Sequence, residues 1–370
     1  MAGGTETSLL TFTSSTLASG SHTLHVQERD SAGNWSPRGT YSVVIDRTPP
    51  SPPTMNTSTG MVYAAFSDAV KRNQPGSDTW VDAGTGLDMT WIRDFTLAPD
   101  DGLYIVGSST VGTHVKRLVG SSWQDVGTPE DNAESLQGGF YSLAISSQGI
   151  PYLAIKNFLG QAILMRFTGA KWMSAKSTGL GTPLSLDLAM GANDQPYLGV
   201  YDINDHHVYV VTTDPNDYES KWDTVGSGPA TGKIKPSNLT IKTHSNQVYL
   251  GFNAYTEFDF LNNIQLLVSN GGSFTSLLSV MGKGYGSDFD ISSAGVPVLA
   301  LIRPSSSGRL AIMGYFGSTW INVGTEFEFA GEISDPKMAI TRDGVPYISL
   351  YNTASGGKQS VIRTSFDPDP

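Results

Sequence analysis

Two stretches of the sequence concentrate side chains able to do chemistry: Asp202-Ile-Asn-Asp-His-His207 and Asn253-Ala-Tyr-Thr-Glu-Phe-Asp-Phe-Leu-Asn-Asn263. Asp202, Asp205 and the neighbouring amide oxygens are hard donors of the kind Ca²⁺ collects, roughly six to eight at a time. The Asp-x-Asp-x-Asp-Gly spacing of a dedicated calcium loop is missing. A solvated turn capped by its own Asp and Asn is therefore the preferred reading, with Ca²⁺ as the alternative and no cofactor assigned. His206 and His207 are adjacent, and successive strand residues point to opposite faces, so they are poorly placed to share one transition metal. In the second stretch Tyr255, Phe258 and Phe260 alternate with Glu257 and Asp259. Aromatic rings supply stacking area and carboxylates accept hydroxyl hydrogen bonds, a combination suited to a glycan or a protein ligand. The candidate ligand-binding residues are Asp202, Asp205, Tyr255, Glu257, Phe258 and Asp259.

The same acids, with Glu326 and Glu328, supply carboxylate pairs of the type used in glycoside hydrolysis. Acid pairs also arise wherever an acidic chain has solvent loops. The sequence carries no Gly-x-Ser-x-Gly, no His-Glu-x-x-His, no phosphate-cradling Gly loop and no Cys nucleophile. No catalytic residue is assigned, and binding is favoured over turnover.

What positions these loops is a repeat. A turn followed by an apolar strand recurs with anchors at Tyr63, Tyr104, Tyr152, Tyr197, Tyr249, Val298 and Tyr347, spaced 41, 48, 45, 52, 49 and 49 residues apart. That is the period of a four-stranded propeller blade. An alternating strand precedes the anchor, as in Ser142–Ser146, Ser287–Ile291 and Lys337–Ile340, and a third follows it, as in His114–Leu118, Ile163–Phe167 and Leu310–Met313. A fourth opens on Trp80, Trp123, Trp172, Trp222, Phe274 or Trp320. We label the four A to D. The expected fold is an all-β propeller over 54–370 with seven blades, the seventh short of its D strand; six blades, closed by the Trp80 strand, is the alternative. If strand A is innermost, both acidic stretches lie in B-to-C loops on one rim. The recurring aromatics are expected to pack between neighbouring sheets.

Residues 1–47 do not fit the repeat. Leu10–Phe12, His22–Gln27 and Tyr41–Ile45 alternate like strands around the turn-forming Asp30-Ser-Ala-Gly-Asn-Trp-Ser36. This resembles the closing part of a bacterial immunoglobulin-like domain, about half of which is absent. Arg47 and the run Pro49-Pro-Ser-Pro-Pro53 then give a stiff connector over 48–53. Residues 54–366 resemble bacterial secreted seven-bladed propellers, a functionally mixed group. The Gly-Ser-Thr-Trp320 tail lacks the Ser-x-Asp opening of sialidase turns.

Composition supports this and narrows the partners. With 41 Gly and 15% charged residues among 370, the chain is unsuited to helices. Its formal net charge of −11, without basic runs, argues against nucleic acid. No apolar stretch is long enough for membrane insertion, and the absence of Cys fits many bacterial exported proteins. The resemblance implies an extracellular or cell-surface bacterial location. The expected function is a non-catalytic binding or adhesion module of a larger protein. The alternatives are a polysaccharide-acting glycosidase or lyase, and a structural unit in which the incomplete N-terminal sheet exchanges strands or packs with another chain.

Overall fold

A computed structural model describes residues 20–26 and 39–45 and, between 62 and 363, all except 66–67, 74–78, 111, 130–139, 158, 175–177, 181, 215–221, 228–234, 257–258, 271, 278–285, 304–307, 342–343 and 353–357. The chain divides into two compact units, Met1–Pro52 and Pro53–Pro370. In the first, Gly20–Val26 pairs antiparallel with Gly39–Ile45, Leu24 opposite Tyr41.

The second unit is a seven-bladed propeller of antiparallel sheets, as the repeat predicts. Blades 2 to 5 each have four strands in sequence order, beginning with strands A at Trp91–Leu97, Tyr141–Ile145, Pro183–Met190 and Lys235–His244. Blade 6 begins at Gly286–Ile291 and adds a short fifth strand, Phe327–Glu328. Blade 7 has A, B and C at Ile333–Ile340, Pro346–Asn352 and Lys358–Arg363. Blade 1 has Tyr63–Ala65, Val70–Asn73 and Trp80–Asp82; its expected strand A near Met55 lies outside the described residues.

The recurring sequence signature has a local cause. In the A-to-B turns a buried hydroxyl at Ser146, Ser292 or Thr341 accepts the N–H of Ile150, Val296 or Val345 at 3.1, 3.1 and 2.9 Å. Three residues after each hydroxyl stands Gly149, Gly295 or Gly344, at φ of 77°, 81° and 81°. Only Gly takes that conformation freely, so the spacing is turn chemistry. The anchor Tyr then meets an Arg across strands B and C: Tyr63 opposite Arg72, Tyr104 opposite Arg117, Tyr152 opposite Arg166 and Tyr347 opposite Arg363. The guanidinium carbons of Arg117 and Arg166 lie 5.3 and 5.9 Å from their Tyr ring centres, within cation–π range.

Apolar cores fill the spaces between blades. Val106, Val115, Leu153 and Met165 join blades 2 and 3, and Leu164, Leu186 and Leu198 join 3 and 4. The strand D aromatics belong to this packing. Trp123, Trp172 and Trp222 are buried, and Trp172 Nε1 donates to the Gly127 carbonyl of the preceding blade at 3.3 Å. Trp320 Nε1 donates likewise to Leu277 at 2.8 Å.

The innermost strands are joined by side chains. The Asp94 carboxylate accepts the Leu143 amide of the next blade at 2.7 Å. Ser142 Oγ accepts that of Leu188 at 3.0 Å, Asp187 that of Ile241 at 2.7 Å, and Asp288 that of Met338 at 2.9 Å. Ser142 Oγ also donates to Asp187 at 2.7 Å and lies 3.3 Å from Asp94, linking the two acids. Lower on the same strands Asp290 accepts the Ile340 amide at 2.9 Å and Lys242 stands 3.3 Å from Asp290.

Burial, and then the negative charge of Asp187, pushes Asp94 up to about 7. Burial also raises Asp187, against the pull of the Ile241 amide, the Ser142 hydroxyl, Lys242 and Lys337. A carboxyl raised from 3.8 toward 7 binds its proton more tightly folded than unfolded. Its stabilising proton is fully held below pH ~4 and lost as pH rises through ~7. This pair therefore contributes a fall in melting temperature between pH ~4 and ~7, and Asp94→Asn is expected to flatten that slope; an unchanged slope refutes the assignment. A second expectation concerns packing. A Cβ on Gly251 would stand 2.5 Å from the ring of Phe289, which is 2% exposed. Gly251→Ala should lower stability in denaturant by about 1–3 kcal/mol.

Candidate functional site

The strand registers fix which loops share a face. The start of strand A meets the end of strand B in every described pair: Trp91 opposite Ser108, Tyr141 opposite Ile155, Pro183 opposite Asp202, Lys235 opposite Tyr255, Gly286 opposite Ile302 and Ile333 opposite Asn352. The mouths of the innermost strands and the B-to-C turns thus lie at one end of the blades, the loop face. Asp202 and Asp205 are at that end of blade 4. Tyr255 and Asp259 are at that end of blade 5, in strand positions whose side chains are outside the described set, and Glu257 and Phe258 lie outside the described residues altogether.

In blade 4 the polar groups satisfy one another. Asp202, only 6% exposed, accepts the Asn204 amide at 2.9 Å. Asp205 accepts the His207 amide at 3.0 Å and the Tyr209 hydroxyl. Partial burial pushes the Asp205 carboxyl up, but its hydrogen bonds from Tyr209 and His207 outweigh this and hold it below the usual range. The same bond pushes Tyr209 up to about 12. His206 Nδ1 lies 3.0 Å from the Tyr201 hydroxyl, whereas His207 Nδ1 donates to the Asp205 carbonyl at 2.9 Å, so the imidazoles serve different partners. This is the self-capped turn that Asp and Asn favour. In blade 6 Glu326 pairs with Arg303 at 2.6 Å and Glu328 with Arg309 at 2.5 Å. Among the described residues no group of three or more His, Asp or Glu could hold a metal.

Blade 2 carries what the sequence reading missed. Trp91 opens its strand A and is 52% exposed, beside a β-bulge. The register passes from Ile92 opposite Gly107 to Asp94 opposite Val106, leaving Arg93 unpaired and exposed. Bulges re-aim side chains, and this one sits where a Cβ on Gly107 would be 2.5 Å from the Trp91 carbonyl. Register shifts recur at the same end of strand A in blades 4, 5 and 7. The bend is therefore architectural, and the side chains distinguish blade 2.

The Arg93 guanidinium carbon lies 5.8 Å from the Trp91 ring centre. Its charge also opposes the effect of burial, the larger influence, on the Tyr141 hydroxyl, which is 3.2 Å from Thr113 Oγ1. In blade 3 Lys156 Nζ stands 6.0 Å from the Phe140 ring. Leu159 and Tyr351, 65% and 42% exposed, are further apolar groups on this face. One signal was available: within the propeller segment Trp91 is the only Trp outside the strand D position.

No family model matches the sequence, and no curated protein matches it. Solved structures do. A polysaccharide lyase, the ulvan lyase of family PL25, is similar with a TM-score of 0.54 and 10% identity, covering 82% of this chain and 91% of that one; it has also been solved bound to -[GlcA(1-4)Rha3S]-. The SapL1 lectin in complex with alpha methyl fucoside gives 0.47 and 11%, covering 76% and 98%. A protein of unknown function from Dyadobacter fermentans gives 0.48 and 13%, covering 73% and 92%. At these identities the likeness is one of fold.

The exposure of Trp91 is directly measurable. In acrylamide quenching, Trp91→Phe should remove a larger share of the accessible fluorescence than Trp172→Phe, whose indole is 4% exposed. Equal losses would contradict the placement of Trp91.

Proposed function

We propose that the propeller is a carbohydrate-binding module that takes a glycan on its loop face without turning it over, with Trp91 as the stacking platform. The exposed indole at the mouth of strand A carries this reading. Half of this indole is open to solvent on a face of turns, and sugar rings stack on such surfaces. Binding is preferred to catalysis because six of the described acids are engaged: Asp202 and Asp205 in their own turn, Glu326 and Glu328 with Arg, Asp94 and Asp187 with backbone amides. The further reading as an adhesion module of an extracellular bacterial surface protein follows from the same face and from the tandem of units. Tyr255, Glu257, Phe258 and Asp259, in the B-to-C loop of blade 5 on the same face, are proposed as a further part of the surface.

A second reading, a polysaccharide-acting enzyme, is supported by the fold shared with an ulvan lyase. A glycan array and a turnover screen on the same sample separate the two. The expected outcome is saturable binding without product, weakened about tenfold or more by Trp91→Ala at unchanged melting temperature. Product release would overturn the non-catalytic reading, and binding indifferent to Trp91→Ala would remove the site from blade 2.

A further inference from the structure

We infer that the glycan held at Trp91 is acidic, its carboxylate or sulfate group received by Arg93 with Lys156 beside it. This rests on the reading of the loop face as a sugar site and adds the chemical class. The argument begins with the charge inventory. In a chain of net charge −11, acids outnumber cations, and several described cations have found one. Lys71 pairs with Asp82, Arg117 with Asp100, Lys242 with Asp290, Arg303 with Glu326 and Arg309 with Glu328. Lys116 contacts the Gly86 carbonyl and lies 3.8 Å from Asp125.

Arg93 and Lys156 stand at the loop face without such a partner, as Lys171 does at the opposite end. Among the described residues neither makes an ion pair, and each instead has an aromatic ring as its neighbour, Trp91 at 5.8 Å and Phe140 at 6.0 Å. The acid adjoining Arg93 is otherwise committed: Asp94 accepts the amides of Phe95 and Leu143 and contacts the Ser142 hydroxyl. The two cations belong to neighbouring blades whose innermost strands pack side by side, and the influence of Arg93 on Tyr141, the residue after Phe140, ties the two positions together.

The chemistry suits an anion on a ring. A guanidinium presents a planar fork of donors that matches a carboxylate or a sulfate ester. Stacking against Trp91 restricts the Arg93 side chain before a ligand arrives and reduces the ordering required on binding. A neutral sugar would call for acceptors as well as donors at the platform. Arg93 and Lys156 offer donors and positive charge only. The bulge leaves Arg93 without a partner in the ladder, and its side chain is exposed.

Isothermal titration with dextran, dextran sulfate and polygalacturonate tests the inference. Dextran and dextran sulfate share a backbone, so they isolate the anion, and polygalacturonate separates carboxylate from sulfate ester. We expect binding to at least one polyanion, weakened about tenfold or more by Arg93→Gln and by Trp91→Ala, and reduced by raising salt. Lys171→Gln, which removes an exposed cation at a C-to-D turn on the opposite end, should leave it unchanged. Binding of dextran as tightly as of the polyanions, insensitive to Arg93→Gln, would overturn the acidic class while leaving the sugar site standing. Polyanion binding reduced equally by Lys171→Gln would reveal charge attraction without a site and overturn the inference. Silence toward these three probes would overturn it too; with silence on the wider glycan array, the carbohydrate reading falls with it.

Discussion

The structure depends on one repeated contact: an inner-strand side chain that accepts a backbone N–H from the next blade. An innermost strand has no further strand to pair with on its inner side, so its amides need acceptors from elsewhere. Asp94, Ser142, Asp187 and Asp288 supply them at 2.7 to 3.0 Å. Because each bond spans two blades, it sets the stagger between sheets as well as satisfying a polar group. The apolar contacts that fill the spaces between sheets, and the Trp hydrogen bonds at the outer edge, are consistent with that stagger.

The same contact explains where the acids went. In an acidic chain whose loops mix aromatic and acidic residues, the sequence invites a search for catalytic carboxylates. Asp94 and Asp187 turn out to be joints, held close enough through Ser142 that their charges oppose each other. Asp202 and Asp205 are turn caps, and Glu326 and Glu328 are partners of arginines. Among the described residues of the loop face, Trp91 stands exposed and Arg93 and Lys156 make no ion pair.

The blade count, strand order and face of the B-to-C loops were legible because they follow from the regular spacing of a turn and an apolar strand, which is local. The packing role of Trp123, Trp172 and Trp222 was legible for a related reason, since a residue recurring at one blade position meets the same neighbour each time. Trp91 and Arg93 were not. A bulge interrupts the period of two, so Trp91-Ile-Arg-Asp does not read as a strand with one wet face, although the backbone pairs through it. The bulge depends on Gly107 across the ladder and on contacts of high sequence separation, which no short window contains. The inner-strand acceptors escaped for the same reason, because their partners lie 46 to 54 residues away.

Hydrogen–deuterium exchange of the whole chain, with and without the glycan that binds best, tests the location of the site without any substitution. The account expects slowed exchange in Trp91–Leu97 and at the turn between Lys156 and Ala162, with the C-to-D turns at the opposite end unchanged. Slowed exchange confined to the turns at Asp202–His207 and 253–263, or to the opposite end of the blades, would contradict a binding site built on Trp91.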